Sequence, residues 1–306
     1  LIHRFRIARG GRYRLRVAGT LRSRGATVPA LPQNGPLRLA IWGDPSPQPA
    51  VLARILAAMR PWKPHLAIAL GDNTADGRDD ARWDRELHAL HPAWFAATPH
   101  LWVAGNHDES SPLMPRLLMT PGSDATGPSP LGWNLAVGGL RLIGIDGLDD
   151  WSAGSANLLW LDRVLAAAAE PYVLLLDHYP AWSSTSHGAP GADGRPHQRT
   201  VRESREQILP MLIRHRATAF INGHAHCYER SHPPGGVACI TSGGAGGFLY
   251  ASNADSGFNP HSAIMAPRHH WCRLVHAEGR LDLEAVALDD GAVIDRHVFT
   301  VRDRGR

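Results

Sequence analysis

The chain has 306 residues, 43% of them hydrophobic and 20% charged, with 31 glycines and 24 prolines. That balance excludes a disordered chain or a coiled coil, and the longest apolar run, around Tyr172–Leu176, is strand-sized rather than membrane-sized. The net charge of +4 is unevenly placed: eight of the 32 Lys and Arg fall in residues 1–24, before the first carboxylate at Asp44, leaving 24 cations against 28 acids.

Lys63 is the only lysine; arginine dominance suits phosphate recognition, but GC-rich coding bias produces it equally well. Three cysteines, Cys227, Cys239 and Cys272, are too few and too scattered for a disulfide framework or a thiolate metal site. No signal peptide is visible, and the chain begins at Leu1 rather than Met, so compartment stays open.

Residues 3–7 and 12–17 alternate strictly, with Arg4, Arg6, Arg12, Arg14 and Arg16 on one face and Phe5, Ile7, Tyr13, Leu15 and Val17 on the other. A turn at 8–11 makes this a β-hairpin appendage with one buried face, a remnant of an upstream β-domain or a strand pair packed on the body. Its Arg face is also a candidate polyanion surface, although alternating Arg without interleaved exposed aromatics is weak evidence for nucleic acid. The Pro- and Gly-rich stretch 25–36 reads as a linker, which sets domains at 1–36 and 37–306.

Beyond it, apolar runs at 37–43, 66–70, 101–104, 141–145, 172–177 and 218–222 read as buried strands. Helical patterns lie between them: Val51, Leu52, Ile55 and Met59 share a face, as do Leu158, Leu161 and Leu165 behind a Ser155 N-cap. A helix over 199–215 contains Pro210, which predicts a kink. Alternating strands and helices imply a largely parallel sheet covered on both faces. Short strands near 237–242, 270–276, 281–288 and 292–300 read as antiparallel, a second, mixed sheet in an α/β body.

In such sheets chemistry gathers at the strand ends. Five ends in succession carry Asp44, then Gly71-Asp72-Asn73, then Gly105-Asn106-His107-Asp108, then Asp177-His178, then Gly223-His224-Ala225-His226. Oxygen and imidazole donors of this kind suit iron, manganese or zinc. A carboxylate such as Asp72 can bridge two ions, and a paired site activates water for in-line attack on phosphorus. Glycine before Asp72, Asn106 and His224 lets the chain turn sharply, and only a bent loop lets His224 and His226 point the same way.

These motifs resemble the calcineurin-like metallophosphoesterase superfamily. Within it, the segment 172–188 (YVLLLDHYPAWSSTSHG), the run GHAHCYERS at 223–231 and SGGAGGF at 242–248 are most similar to the purple acid phosphatases. The resemblance spans about 37–300. It implies a four-layer α-β-β-α sandwich of two mixed sheets flanked by helices. One metal ion would take Asp72, Asn106, His178 and His224, and the other Asp44, Asp72 and His226. His107 and His187 would bind the phosphate or protonate the leaving group, with Asp108 orienting His107. Two positions depart from the family pattern: Ser46 stands where many members carry His, and Ala75 where purple acid phosphatases carry a metal-bound Tyr. The second ion therefore lacks its usual fourth ligand, which water, Ser46, Thr74 or Asp76 could replace. Asp177 is a candidate carboxylate partner for His178, while Trp182 and the His269-His270 pair fit packing better than the site.

The reading that follows is a metal-dependent phosphohydrolase acting on a small-molecule phosphate ester, a phosphomonoesterase first. A phosphodiesterase on a nucleotide or phospholipid head group, or a degenerate non-catalytic binder of a phosphorylated ligand, are the alternatives. Pocket loops at 73–80, 109–130 and 183–197 would decide between ester classes. The sequence is silent on oligomeric state.

Overall fold

Leu37, Leu39 and Ile41 lie on one side of their strand and Ala40 and Trp42 on the other, and both sides are buried. The same holds for Tyr172, Leu174 and Leu176 against Val173 and Leu175. Continuous apolar runs of this kind are what a strand covered on both faces requires. The computed structural model of the chain, which describes residues 11–13, 16–17, 20–21, 26–32, 35–108, 114, 127–251 and 257–302, shows what covers them.

Two sheets pack face to face. The six-stranded sheet runs in the order Val293–Phe299, Arg280–Ala287, His270–Ala277, Leu37–Trp42, Leu66–Ala69, His100–Trp102. The seven-stranded sheet runs Ser262–Ala266, Tyr228–Ser231, Ala238–Ser242, Ala219–Asn222, Tyr172–Leu176, Leu140–Gly144, Trp133–Val137. Their facing sides form the central core, with Leu39, Ile41, Ile68 and Leu274 from one sheet meeting Leu142, Leu174, Ile221 and Ile240 from the other. The outer face of the first is covered by the helix Pro49–Met59 through Leu52, Ile55, Leu56 and Met59. The outer face of the second is covered by the helix Ala156–Ala167 and the helical stretch through 199–214. The result is the expected four-layer α-β-β-α sandwich.

Both sheets are mixed, but not by the route the sequence suggested. The C-terminal strands extend the first sheet: His270–Ala277 pairs antiparallel with Leu37–Trp42, and Arg280–Ala287 and Val293–Phe299 follow. Leu140–Gly144, Tyr172–Leu176, Ala219–Asn222 and Ala238–Ser242 are parallel in the second sheet. Three strands escaped the sequence reading: Trp133–Val137, Tyr228–Ser231 and Ser262–Ala266. Tyr-Glu-Arg-Ser has no apolar signature, because buried Glu229 is satisfied by polar partners rather than by solvent.

Ser155 caps its helix as expected, its side chain accepting from Leu158 N at 3.2 Å. Around Pro210 the disturbance takes the form of a π-helical turn over Ser204–Ile208, ending two residues before the proline, which has no N–H to donate. The first arm of the predicted N-terminal hairpin lies outside the described residues. Within them, Arg12–Tyr13 pairs antiparallel with Ala26–Thr27, and Arg16–Val17 with Thr20–Leu21. The second arm therefore pairs forward, and residues 26–27 of the supposed linker form a strand. No helix among the described residues is long and apolar enough to cross a membrane.

Replacing Leu174, which is fully buried in the central core, with Ala is expected to cost about 2–5 kcal/mol. Ser155→Ala should cost about 1 kcal/mol through the lost cap. Urea denaturation of each variant against the parent chain measures both.

Candidate metal centre

The parallel strands of both sheets end toward one rim, and there the backbone is forced into unusual turns. Asp44, Asp72 and His224 sit in the left-handed region at φ 57°, 52° and 66°. Such conformations cost of order 1–3 kcal/mol each and persist only where the surroundings hold them. The surroundings do so here: Asp44 N donates to Gly71 O at 3.1 Å, and the Asp44 carboxylate accepts from His224 N at 2.9 and 3.1 Å. After His224 two tight turns follow, Ala225 N to Gly223 O and Cys227 N to Ala225 O at 2.8 and 2.7 Å. This is the bend that lets both histidines face the rim.

The glycines act mainly through space. A Cβ on Gly105 would collide with the Asp72 backbone and carboxylate, and one on Gly223 would come within 2.5 Å of Asp44 Oδ2. Only Gly71, at φ 91°, also needs glycine's conformational freedom.

The ring orientations follow from backbone carbonyls. His178 Nδ1 faces Leu70 O at 2.8 Å, His226 Nδ1 faces Phe248 O at 2.9 Å, and His107 Nδ1 faces Ala75 O at 3.0 Å. A carbonyl accepts only, so each Nδ1 carries a proton, and each Nε2 turns toward a carboxylate oxygen of Asp44 or Asp72. Around His178 Nε2 lie Asn106 Oδ1 at 3.2 Å, His224 Nδ1 at 3.2 Å and Asp72 Oδ1 at 3.5 Å. Beside this group, donor atoms of Asp44, Asp72 and His226 all lie within 4.8 Å of one another. Asp72 belongs to both groups. Lone pairs crowded in this way repel unless a cation sits among them, and the mixture of carboxylate, amide oxygen and imidazole suits iron, manganese or zinc.

The electrostatics agree. Burial alone would lower the His178 pKa, but Asp72 and then Asp44 overcome it and raise it to about 10. Positive charge is drawn to the middle of the cluster. Burial pushes Asp44 well above the ordinary carboxylate value against the pull of His178, whereas at Asp72 His178 and His107 outweigh burial and hold the carboxyl low. Burial, then His178 and His187, press His224 far below its usual value. Burial likewise takes His187 down to about 4, against the support of Gln198.

All six predicted donors, Asp44, Asp72, Asn106, His178, His224 and His226, thus converge. His107 lies at the edge, its backbone N–H on Asp72 Oδ1 at 2.9 Å and its ring Nε2 3.9 Å from Asp72 Oδ2. His187 stacks obliquely on His224 with ring centroids 4.1 Å apart. Its loop is pinned by Ser184, whose N and Oγ both donate to Glu229 at 2.9 and 2.5 Å.

Asp108 departs from expectation. Its carboxylate does not reach His107; it accepts from Asn73 N, Asn73 Nδ2 and Gly105 N at 3.1, 2.8 and 3.0 Å and from Thr74 N at 3.3 Å. It braces the two turns that present Asp72 and Asn106. Asp177 also differs, because its carboxylate accepts the His178 backbone N–H at 2.6 Å while Leu70 O orients the ring. Trp182 packs under Arg205, 3.9 Å from its ring, and His270 is buried against Ser242 Oγ at 3.0 Å.

Among the candidate fourth donors, Thr74 Oγ1 accepts from Asp76 N at 3.2 Å, and Asp76 Oδ1 accepts from Arg78 N at 3.1 Å. Ser46 Oγ is buried with no hydrogen-bond partner among the described residues. Two further residues at the site carried no sequence signal. Tyr250 lies parallel to the His226 imidazole, centroids 4.5 Å apart, and meets His187 edge-on at 5.2 Å. Gln198 lies between His187 and His224. Neither belongs to a strand-end motif. Most of the pocket loop 109–130 lies outside the described residues.

Over 93 residues the chain is 38% identical to tartrate-resistant acid phosphatase type 5 of Sus scrofa, a match covering 30% of this chain and 24% of that protein. The chain therefore spans about a quarter of the curated relative it matches. A purple acid phosphatase from yellow lupin (Lupinus luteus) seeds superposes with TM-score 0.74 at 16% identity, over 92% of this chain and 56% of that one. GAP50, the anchor in the inner membrane complex of Plasmodium, superposes with TM-score 0.64 at 15% identity, over 88% and 90%. At these identities the superpositions show a shared fold and nothing finer. The model of the calcineurin-like phosphoesterase family matches residues 37–228, well over half of the chain, and the chain belongs to that family.

Proposed function

We propose that the chain is a metal-dependent phosphoric ester hydrolase, with a small-molecule phosphomonoester as substrate. The observation that carries this reading is the crowding of lone pairs around His178 Nε2 beside the Asp44, Asp72 and His226 donors. On this reading Asp72, Asn106, His178 and His224 hold one cation. Asp44, Asp72 and His226 hold the other, with the Ser46 hydroxyl open as an added donor. Bound there, the pair supplies positive charge for the phosphoryl oxygens and acidifies water.

The protein's own groups do the rest. Leu70 O and Phe248 O keep the His178 and His226 rings turned inward, so the donors need no reorganisation when charge develops. Asp108 fixes the turns at 72–74 and 105. His107, exposed at the edge with Nδ1 held by Ala75 O, is placed to give the departing alkoxide a proton from Nε2 when the ring is doubly protonated. His187, kept neutral by burial, is suited to binding the phosphoryl group rather than to acid catalysis.

Chelator-treated protein should lose turnover of an aryl phosphate and regain it with manganese, iron or zinc; turnover indifferent to chelation would sink the reading. Asp72→Asn should empty both positions by elemental analysis. His107→Ala should lower kcat about 10²–10⁴-fold on an alkyl phosphate and less on an aryl one, whose leaving group needs no proton. Mono- and diester forms of one chromogenic substrate, compared by kcat/KM, separate a monoesterase from a diesterase.

A stability prediction follows from the bracing carboxylates. Burial raises Asp108 and Asp177 from 3.8 to about 7. Between those values the folded chain keeps protons that the unfolded chain has lost, so metal-free protein should lose stability as pH rises from about 4 to 7. Asp177→Asn removes one of the two groups and should flatten that decline in thermal denaturation of chelated protein.

A further inference from the structure

Gln198 occupies the N-cap position of the helix Arg199–Glu203, yet its side chain caps nothing. A residue there usually gives a side-chain oxygen to the first-turn N–H groups. Here the amide turns to two imidazoles: Oε1 lies 3.2 Å from His224 Nε2, while Nε2 lies 2.9 Å and Oε1 3.2 Å from His187 Nδ1. The loop 189–197 brings these residues together by closing on itself, through the Pro190–Pro196 bridge and His197 N on Ala189 O at 3.1 Å.

The direction of each hydrogen bond follows from the chemistry of the neighbours. His224 turns Nδ1 into the donor cluster, 3.2 Å from His178 Nε2, and so carries its proton on Nε2. That proton meets Gln198 Oε1, which fixes which way the amide faces. Gln198 Nε2 then has only protons to offer, and its near neighbour, His187 Nδ1, has to accept. A neutral imidazole that accepts at Nδ1 holds its proton at Nε2. That nitrogen, His187 Nε2, is buried and has no partner among the described residues.

We propose that Gln198 is a positioning residue: it locks the His187 tautomer to His224, so that His187 presents Nε2–H as a hydrogen-bond donor to an oxygen of the bound phosphoryl group. No proton is transferred, and the ring keeps the hydrogen it donates. The proposal rests on the phosphate-ester reading above and assigns a residue that no strand-end motif contains.

The test uses the full chain loaded with metal. In ring-nitrogen NMR of histidine-labelled protein, with His187 assigned by its loss in His187→Ala, the proton should sit on Nε2 in the parent chain. In Gln198→Met both tautomers should appear. Calorimetric titration with inorganic phosphate should show binding weakened about ten- to hundredfold in Gln198→Met and in His187→Ala, the range expected for one hydrogen bond to a charged group. The double variant should bind no more weakly than His187→Ala alone. Unchanged metal content by elemental analysis shows that the donor cluster survives each substitution. A parent chain that binds phosphate with the His187 proton on Nδ1 overturns the role of Gln198 alone, as does unaltered phosphate affinity in Gln198→Met. A loaded parent chain that binds no phosphate overturns the phosphate-ester reading itself.

Discussion

Two carboxylates and several imidazole lone pairs are pressed together at the rim of this protein, and little of their repulsion is relieved by solvent. Asp44 is fully buried and Asp72 nearly so, and His178 is completely enclosed between them. Placing such groups out of water costs several kcal/mol per ion unless a compensating charge is present. Three residues in the left-handed region add backbone strain. The arrangement is unfavourable as a local structure and exists because the two-sheet core beneath it holds the strand ends in place. Asp72 and Asp44 overcome the burial of His178 and raise its affinity for a proton, which shows how strongly the cluster draws positive charge.

The orientation of the donors is assigned to backbone atoms to an unusual degree. Leu70, Ala75 and Phe248 offer carbonyl oxygens to the three rings, where a carboxylate partner was the natural expectation for His178. The buried carboxylates have a different task. Asp108 gathers the N–H groups of Asn73, Thr74 and Gly105, and Asp177 accepts that of His178, so each tethers a turn rather than a ring. Glu229 does the same one layer further out, tying the loop before His187 to the polar strand Tyr228–Ser231. The His178 ring, held by the carbonyl of Leu70 directly after the strand Leu66–Ala69, cannot drift without moving that strand end, which is the rigidity a site made of converging loops needs.

Family membership and fold leave the chemistry undetermined, since the same sandwich superposes on an acid phosphatase and on an anchor of a membrane complex. What distinguishes this chain is its donor set. Three donor atoms gather around His178 Nε2, the side chains of Asp44, Asp72 and His226 converge beside them, and Ser46 carries a buried hydroxyl without a partner among the described residues. Tyr250, parallel to the His226 ring, packs an aromatic side chain against that donor from a distant part of the chain.

Strand ends were legible because they pair two strong local signals. A run such as Leu66–Ala69 needs burial on both faces, and the Gly-Asp that follows marks where the chain leaves the sheet. Five strand ends carried the six donors, and the family resemblance of those motifs implied the α-β-β-α layering. The polar strand Tyr228–Ser231 and the extension of the first sheet by the C-terminal strands were not legible, because partners distant in sequence satisfy them: Ser184 and Asn259 for Glu229, and Leu37–Trp42 for His270–Ala277. The roles of Asp108, Gln198 and Tyr250 likewise depend on what lies within about 3–5 Å in space. Residue type alone therefore determined which atoms could bind a cation, whereas the direction each ring faces, and the neighbour that holds it there, belonged to the packed structure, since hydrogen bonds are made to whatever the fold brings close.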